Sequence, residues 1–256
     1  ERPDLSTDPE SANRLLVAHC PERVLPGKIM EEMAANDRVI GGLNPLSTDR
    51  AKQLYSFFCN GEMLLTNATT AEMAKLTENS FRDVNIAFAN ELSIISDKLG
   101  IDVWELIELA NHHPRVNILN PGPGVGGHCI AVDPWFIVSS AQEEAKLIRT
   151  AREVNDGKPA YVIAKITEAV EAEGADSIAA LGIAFKPDID DLRESPALSI
   201  VQQMAEKWPE KNILVAEPNV NELPESLTAY QNVQLVDASH AISSSPVVAV
   251  LVDHTP

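Results

Sequence analysis

The chain has 256 residues, 45% of them hydrophobic, which allows two units with proper cores and is not the composition of a disordered or fibrous protein. A formal net charge of -18 leaves no basic face for nucleic acid, and no apolar run approaches a membrane span. The 3 cysteines, Cys20, Cys59 and Cys129, are far apart with no C-x-x-C, and no H-x-x-x-H occurs, so neither a disulfide framework nor a metal site is expected and a reducing cytoplasm fits.

The first residue is Glu1 rather than Met, and the last apolar run, Pro246 to Asp253, stops near the terminus, so a piece of a longer protein is expected. Residues 1–45 read as the tail of an α/β unit. Leu15 to His19 suits a buried strand, a loop set by Pro21, Pro26 and Gly27 follows, and Arg38 to Gly41 suits another strand. Glu22 and Arg23 then fall just past a strand's carboxyl end, where open parallel sheets bind ligands, although a solvated turn reads equally well.

Residues 48–110 are helical by pattern. From Ala71 to Leu99, apolar residues including Met73, Phe81, Phe88, Ile95 and Leu99 recur mostly three and four apart and gather on one side. Lys75, Asn79, Arg82, Asp83 and Asn90 gather opposite, with Lys75 and Asn79 one turn apart. Asparagine is a poor helix former, so this face reads either as touching a polar ligand or as plainly solvated. Gly100 is a C-cap, and Asp102 caps a helix over Val103 to Ala110.

The run Asn120 to Trp135 holds Gly122, Gly124, Gly126 and Gly127 and ends its glycine-rich part on Cys129. Gly122, Gly124 and Gly127 fit G-x-G-x-x-G, yet no strand precedes them. Two readings remain: a nucleophile loop whose amides and nearby cations hold a thiolate, or a glycine-rich turn carrying an inert cysteine. The residues alone leave both open.

A charged helix is predicted over Ala141 to Asn155, interrupted by Gly157 and Pro159 at a domain junction. Strands over 177–185, 212–217, 233–236 and 247–252 then alternate with helices, one of them capped by Ser195 with Pro196 first, which predicts a parallel sheet. Lys186 and Arg193 lie in the first strand-to-helix loop, as cations suited to a phosphate or carboxylate. The expected units are 1–45, 46–157 and 158–256.

With these residues in hand, the chain resembles the UDP-glucose/GDP-mannose dehydrogenase family over essentially its whole length. The likeness is carried by Pro21-Glu22, Lys75-x-x-x-Asn79, His113-Pro-Arg115, Gly124-x-Gly-Gly-x-Cys129-x-x-x-Asp133, and Phe185-Lys186 followed by Arg193-Glu-Ser-Pro196. It implies an α/β protein with the tail of an N-terminal Rossmann domain, a central all-helical dimerisation region and a C-terminal Rossmann-like parallel-sheet domain. It also implies NAD-dependent four-electron oxidation of the C6 hydroxyl of a UDP-sugar through a cysteine thioester, serving surface polysaccharide synthesis.

By the same likeness Cys129 is the nucleophile, Lys75 and Asn79 hold the oxyanion, Asp133 serves the hydrolytic water and Glu22 is the acid/base. Arg23, Val24, Lys75, Asn79, Arg82, His113, Arg115, Gly126, Phe185 and Lys186 would contact the UDP-sugar, Arg193 the nicotinamide cofactor, and Arg115 would reach the neighbouring subunit of a homodimer. The run around Cys129 and the helix after Glu78 look most like the branch acting on UDP-N-acetylmannosamine. The glucose enzymes carry Lys-Asp where this chain has Val132-Asp133, and Phe in place of Arg23. Pro26 replaces a glutamate that touches NAD. The strand–Gly-x-Gly–helix half of the cofactor domain is missing, so the fragment alone is not expected to turn over.

Two other readings stand beside this one. In a thiol hydrolase Cys129 would pair with His128 or His113, although adjacent His128 cannot easily reach its neighbour's sulfur. In a non-catalytic binding or dimerisation module Cys129 would be buried.

Overall fold

The computed structural model describes residues 4–24 and 27–255, which fall into two units, Glu1–Glu78 and Asn79–Pro256. Pro26 lies outside the described residues.

In the first unit, β1 (Ala18–His19) is antiparallel to β2 (Arg38–Gly42), and β2 is parallel to β3 (Met63–Asn67). All five residues of β2 are buried. Between the strands lie α1 (Ile29–Ala35) and α2 (Pro45–Tyr55), the latter capped by Asn44, whose side chain accepts from Ser47 N at 2.9 Å. Gly41 is required by close approach: a Cβ there would meet Asn67 O at 2.2 Å. Two expectations are corrected here. The strand before Cys20 is two residues long with Leu15 and Val17 exposed, because it is an edge strand that pairs, among the described residues, with antiparallel β2 alone. The helical pattern from residue 48 is broken by β3, whose apolar Leu64 and Leu65 pair in register with Val39 and Ile40.

α3 (Ala68–Leu99) follows, and its residues from Asn79 onward belong to the second unit with α4 (Val103–Asn111), α5 (Asp133–Ser140) and α6 (Lys146–Glu173). Gly100 takes φ 67° after α3, and Asp102 Oδ1 accepts from Trp104 N at 2.8 Å, as the caps predict.

The burial of α3 is the reverse of an ordinary amphipathic helix. Phe81 is 67% exposed and Phe88 52%, with Ile95 and Leu99 also exposed, while Asn79, Ser80, Asp83, Asn90 and Ser96 are buried. Within the polar face, Asp83 and Asn90 are not solvated: they form a seam against α6, while Lys75 is half-buried and Arg82 exposed. Arg152 Nη1 donates to Asp83 Oδ1 at 2.6 Å with the two side chains 1% and 0% exposed, and Arg152 also binds Asp156. Asn155 Nδ2 donates to Asp83 Oδ1 at 2.8 Å, and Asn90 Nδ2 donates to Asn155 Oδ1 at 2.8 Å. The Lys158 ammonium is buried beside Ser93, and loss of hydration lowers its pKa to about 8.

α6 does not break at Gly157 and Pro159, which corrects the predicted interruption. Gly157 faces open space, and the hydrogen bond that proline removes is one among many in a 28-residue helix. Its second half supplies Ile166 and Val170 to the core beneath a parallel sheet of order β6-β5-β4-β7. The strands are β4 (Ser177–Leu181), β5 (Asn212–Ala216), β6 (Val233–Leu235) and β7 (Val247–Val250), joined through α7 (Pro196–Lys207), α8 (Glu225–Thr228) and α9 (Ala238–Ser243). Ser195 caps α7 through Leu198 N at 3.2 Å. No helix of the described residues is long and apolar enough to cross a membrane.

Removing Arg152 strands a buried carboxylate at Asp83. Arg152→Ala is expected to lower stability by about 3–5 kcal/mol, read as a lower urea midpoint; an unchanged midpoint would show the pair to be dispensable.

Candidate active site

Glu22, Arg23, Val24 and Lys75 belong to the first unit. Arg23 N and Val24 N both donate to Glu22 Oε1, at 2.7 and 3.2 Å, so the carboxylate is held by the turn that follows it. Its other oxygen accepts from Arg38 Nη1 at 3.1 Å, and Arg38 is itself buried over the Tyr55 ring at 5.0 Å. Partial burial would raise the Glu22 pKa, but the Arg23 N–H, Arg38 and the Val24 N–H outweigh it and hold the carboxyl below its ordinary value. Arg23 pairs with Glu78, and Lys75 is half-buried on α3.

The other candidates belong to the second unit. Cys129 is exposed, and its carbonyl accepts from Val132 N at 3.1 Å and Asp133 N at 2.8 Å, which turns the chain into α5. Asp133 thus stands in the first turn of α5, and its Oδ2 accepts from Asn79 Nδ2 at 2.5 Å. One backbone turn links Cys129 to Asp133, and one side-chain bond links Asp133 to Asn79. Asn79 Nδ2 keeps a second N–H for another acceptor.

The glycines before Cys129 have a specific task. A Cβ on Gly126 would meet Glu194 O at 2.6 Å and Phe185 Cβ at 2.9 Å, and one on Gly127 would meet the Phe185 ring at 3.1 Å. Gly124 takes φ 152° against Pro196. The loop therefore lies directly on the segment after β4, bringing Gly126 to Phe185, with Asn90 Oδ1 accepting from Gly122 N at 2.9 Å at its start. Glycine here serves packing of loop on loop.

Arg193, expected as a cation suited to a phosphate or carboxylate, already has a carboxylate partner in Asp191. Asp191 Oδ1 and Oδ2 accept from its Nε at 2.9 and 3.1 Å, and Oδ2 from its Nη2 at 2.6 Å. Arg193 holds the Asp191 carboxyl at about 2, and Asp191 raises the pKa of Arg193, with a smaller contribution from Cys129. Cys129 is thus within electrostatic reach of this pair. Lys186 is exposed, lies 5.7 Å from the Phe185 ring centroid, and makes no ion pair among the described residues. Arg82, His113 and Arg115 are exposed; Arg115 N donates to His113 Nδ1 at 3.3 Å, and no described contact joins these three to Cys129.

Cys129 has no hydrogen bond to His128 or His113, and no group of His, Cys, Asp and Glu among the described residues could hold a metal ion. A cavity of about 460 Å³ near the loop is lined by Val125, Val132, Arg152, Asn155, Ser195 and Gln202. Neither Cys129 nor Asp133 lines it. Sequence reasoning missed Asp191, Asn155 and Arg152, whose roles depend on which residues the fold brings opposite them.

Three models of the UDP-glucose/GDP-mannose dehydrogenase family match in order: the NAD binding domain over residues 5–59, the central domain over 69–157 and the UDP binding domain over 179–256. The UDP-N-acetyl-D-mannosamine dehydrogenase of Campylobacter jejuni is 58% identical across 99% of this chain and 63% of its own length. The NDP-N-acetyl-D-galactosaminuronic acid dehydrogenase of Ralstonia nicotianae is 56% identical across 99% of this chain and 60% of its own length. A solved UDP-D-ManNAc dehydrogenase from Pyrococcus horikoshii superposes with TM-score 0.82 at 40% identity, over 94% of this chain and 56% of that one. The chain thus spans about three-fifths of the length of the curated relatives it matches, and it belongs to the UDP-glucose/GDP-mannose dehydrogenase family.

Proposed function

We propose that this chain carries the catalytic and UDP-sugar-binding portions of an NAD-dependent enzyme that oxidises the C6 hydroxyl of a UDP-N-acetylhexosamine to the uronic acid. The observation that carries this reading is the linkage of Cys129 through its backbone turn to Asp133, which is held by Asn79. UDP-N-acetylmannosamine is the favoured substrate, with Val132 and Arg23 standing where the glucose enzymes differ, and the product would feed surface polysaccharide synthesis. In domain terms, residues 1–45 are the remnant of the cofactor domain, 46–157 the central helical region with the cysteine loop, and 158–256 the UDP-sugar-binding domain.

NAD supplies the hydride acceptor for both oxidations. In the first unit a cavity of about 350 Å³ lined by Gly42, Asn44, Thr48 and Asn67 opens at the carboxyl ends of β2 and β3, where parallel sheets take such ligands, and it fits part of a dinucleotide. Arg193, in the second unit, is the residue assigned to the nicotinamide portion.

Glu22, ionised by its two amides and Arg38, is suited to take the C6 hydroxyl proton as the first hydride leaves. The Cys129 thiolate then adds to the aldehyde carbon, giving a thiohemiacetal whose oxyanion is held by Lys75 and the free N–H of Asn79. Loss of the second hydride from that carbon leaves a thioester. Asp133, fixed by Asn79, orients the water that hydrolyses it and returns the thiol, and Lys75 moves the protons. Arg23, Val24, Arg82, His113, Gly126, Phe185 and Lys186 bind the UDP-sugar, with Arg115 serving the neighbouring subunit.

A homodimer is supported by the exposed row Phe81, Phe88, Ile95 and Leu99 on α3 with Trp104 and Leu109 on α4. A cytoplasmic setting accords with three free cysteines.

In the full-length protein, Cys129→Ser should abolish NADH formation from UDP-N-acetylmannosamine while UDP still binds; undiminished turnover would remove the thioester route. Iodoacetamide should modify Cys129 before Cys20 and Cys20 before buried Cys59, as followed by peptide mass spectrometry, and equal rates at all three would count against an accessible nucleophile. Phe88→Glu should convert a dimer to a monomer in light scattering, and an unaltered mass would rule that row out of the interface.

A further inference from the structure

At the carboxyl ends of β4, β5 and β7 lies a polar cluster with no part in the steps above. Glu217 directly follows β5, and its carboxylate is 0% exposed. Oε2 accepts from Ile183 N at 2.8 Å and Ala184 N at 3.1 Å, and Oε1 accepts from Asn219 N at 3.1 Å. Burial alone would raise its pKa, but these three amides, with His254 adding to them, bring it below the ordinary value. His254, 8% exposed, lies with Nε2 3.0 Å from Glu217 Oε2, while its Nδ1 accepts from Asp188 N at 3.0 Å. The Asp188 carboxylate in turn accepts from Thr255 N and Thr255 Oγ1, both at 2.8 Å.

These bonds share one target. Ile183 and Ala184 immediately precede Phe185 and Lys186, and Asp188 stands two residues after Lys186 with φ 61°, a conformation costly for an L-residue and kept where its surroundings impose it. In a dinucleotide-binding sheet, the acid at the end of the second strand is left free for ribose hydroxyls. Glu217 occupies that place but turns inward, spent on the main chain of the neighbouring loop. Lys186, between the two clamped stretches, is left exposed without a carboxylate partner among the described residues.

We infer that Glu217 and His254 are positioning residues that fix the main chain on both sides of Phe185–Lys186, so that the loop meets the anionic nucleotide portion of the ligand already ordered. The inference rests on the reading of Lys186 as a nucleotide-sugar contact. A loop ordered beforehand loses less conformational freedom on binding, and loosening it weakens affinity without removing any ligand contact.

The test is calorimetric titration of UDP into this chain and its variants, with hydrogen exchange followed at the amides of Ile183, Ala184 and Asp188. Lys186→Met and His254→Ala should each weaken UDP binding about tenfold, roughly 1.4 kcal/mol. His254→Ala alone should speed exchange at those amides, and His254→Gln, whose carboxamide has a donor NH2 and an acceptor C=O, should recover part of both losses. If Lys186→Met binds UDP as the parent does, the reading of Lys186 fails and the inference falls with it. If Lys186→Met weakens binding but His254→Ala stays within twofold of the parent, the clamp is overturned and Lys186 stands. Should His254→Ala fail to fold, His254→Gln and Glu217→Gln decide by the same two readouts: parent-like affinity and exchange in both overturn the inference.

Discussion

Putting Asp83 and Arg152 into the same dry seam constrains everything built on α3 and α6. Removing two charges from water costs several kcal/mol for each, and their attraction does little more than offset it. The return is alignment. An apolar seam tolerates slippage by a turn with modest loss, whereas a slip here would leave Asp83 facing hydrocarbon. Asn155 and Asn90 extend the same alignment, and Asn90 passes it to the start of the glycine loop through Gly122. Asn79, one turn before Asp83, is thereby set opposite Asp133.

The glycine loop illustrates how much a composition rule leaves open when the partner is unknown. Several glycines before a cysteine suggest room for a ligand, yet the space at Gly126 and Gly127 is taken by Phe185, Glu194 and Pro196. The loop and the segment after β4 therefore form one surface, which joins the thiol and the Arg193–Asp191 pair into one electrostatic environment. Glu22 shows a related economy: the amides of the two residues after it and a buried arginine fix its charge state within the first unit.

The sequence was most legible where a local rule acts within a few residues. Asn44 was not singled out, but Asp102, Gly100 and Ser195 were, and each caps as expected because capping needs only a neighbouring amide or a free φ. The four strands of the parallel sheet were readable as buried runs. The stripe on α3 was found correctly, while its orientation was not. Periodicity divides a helix into two faces without saying which is covered, and here Asp83 and Asn90 of the polar face are covered because α6 offers Arg152 and Asn155 at matching heights. Similarly, Lys186 and Arg193 looked equivalent as loop cations until Asp191 claimed one of them.

The unbroken course of α6 through Pro159 has a bearing on where this polypeptide can be divided. Ile166 and Val170 belong to the core under the sheet, yet the helix that presents them is rooted at Arg152 and Asn155, more than two turns earlier. Severing the backbone near residue 158 would leave the nucleotide half with a proline-tipped stub lacking its anchor, and the other half with a helix end opened at buried Lys158. Any independently folding nucleotide module must carry the helix from Lys146 onward, and the buried Arg152 would come with it, deprived of Asp83.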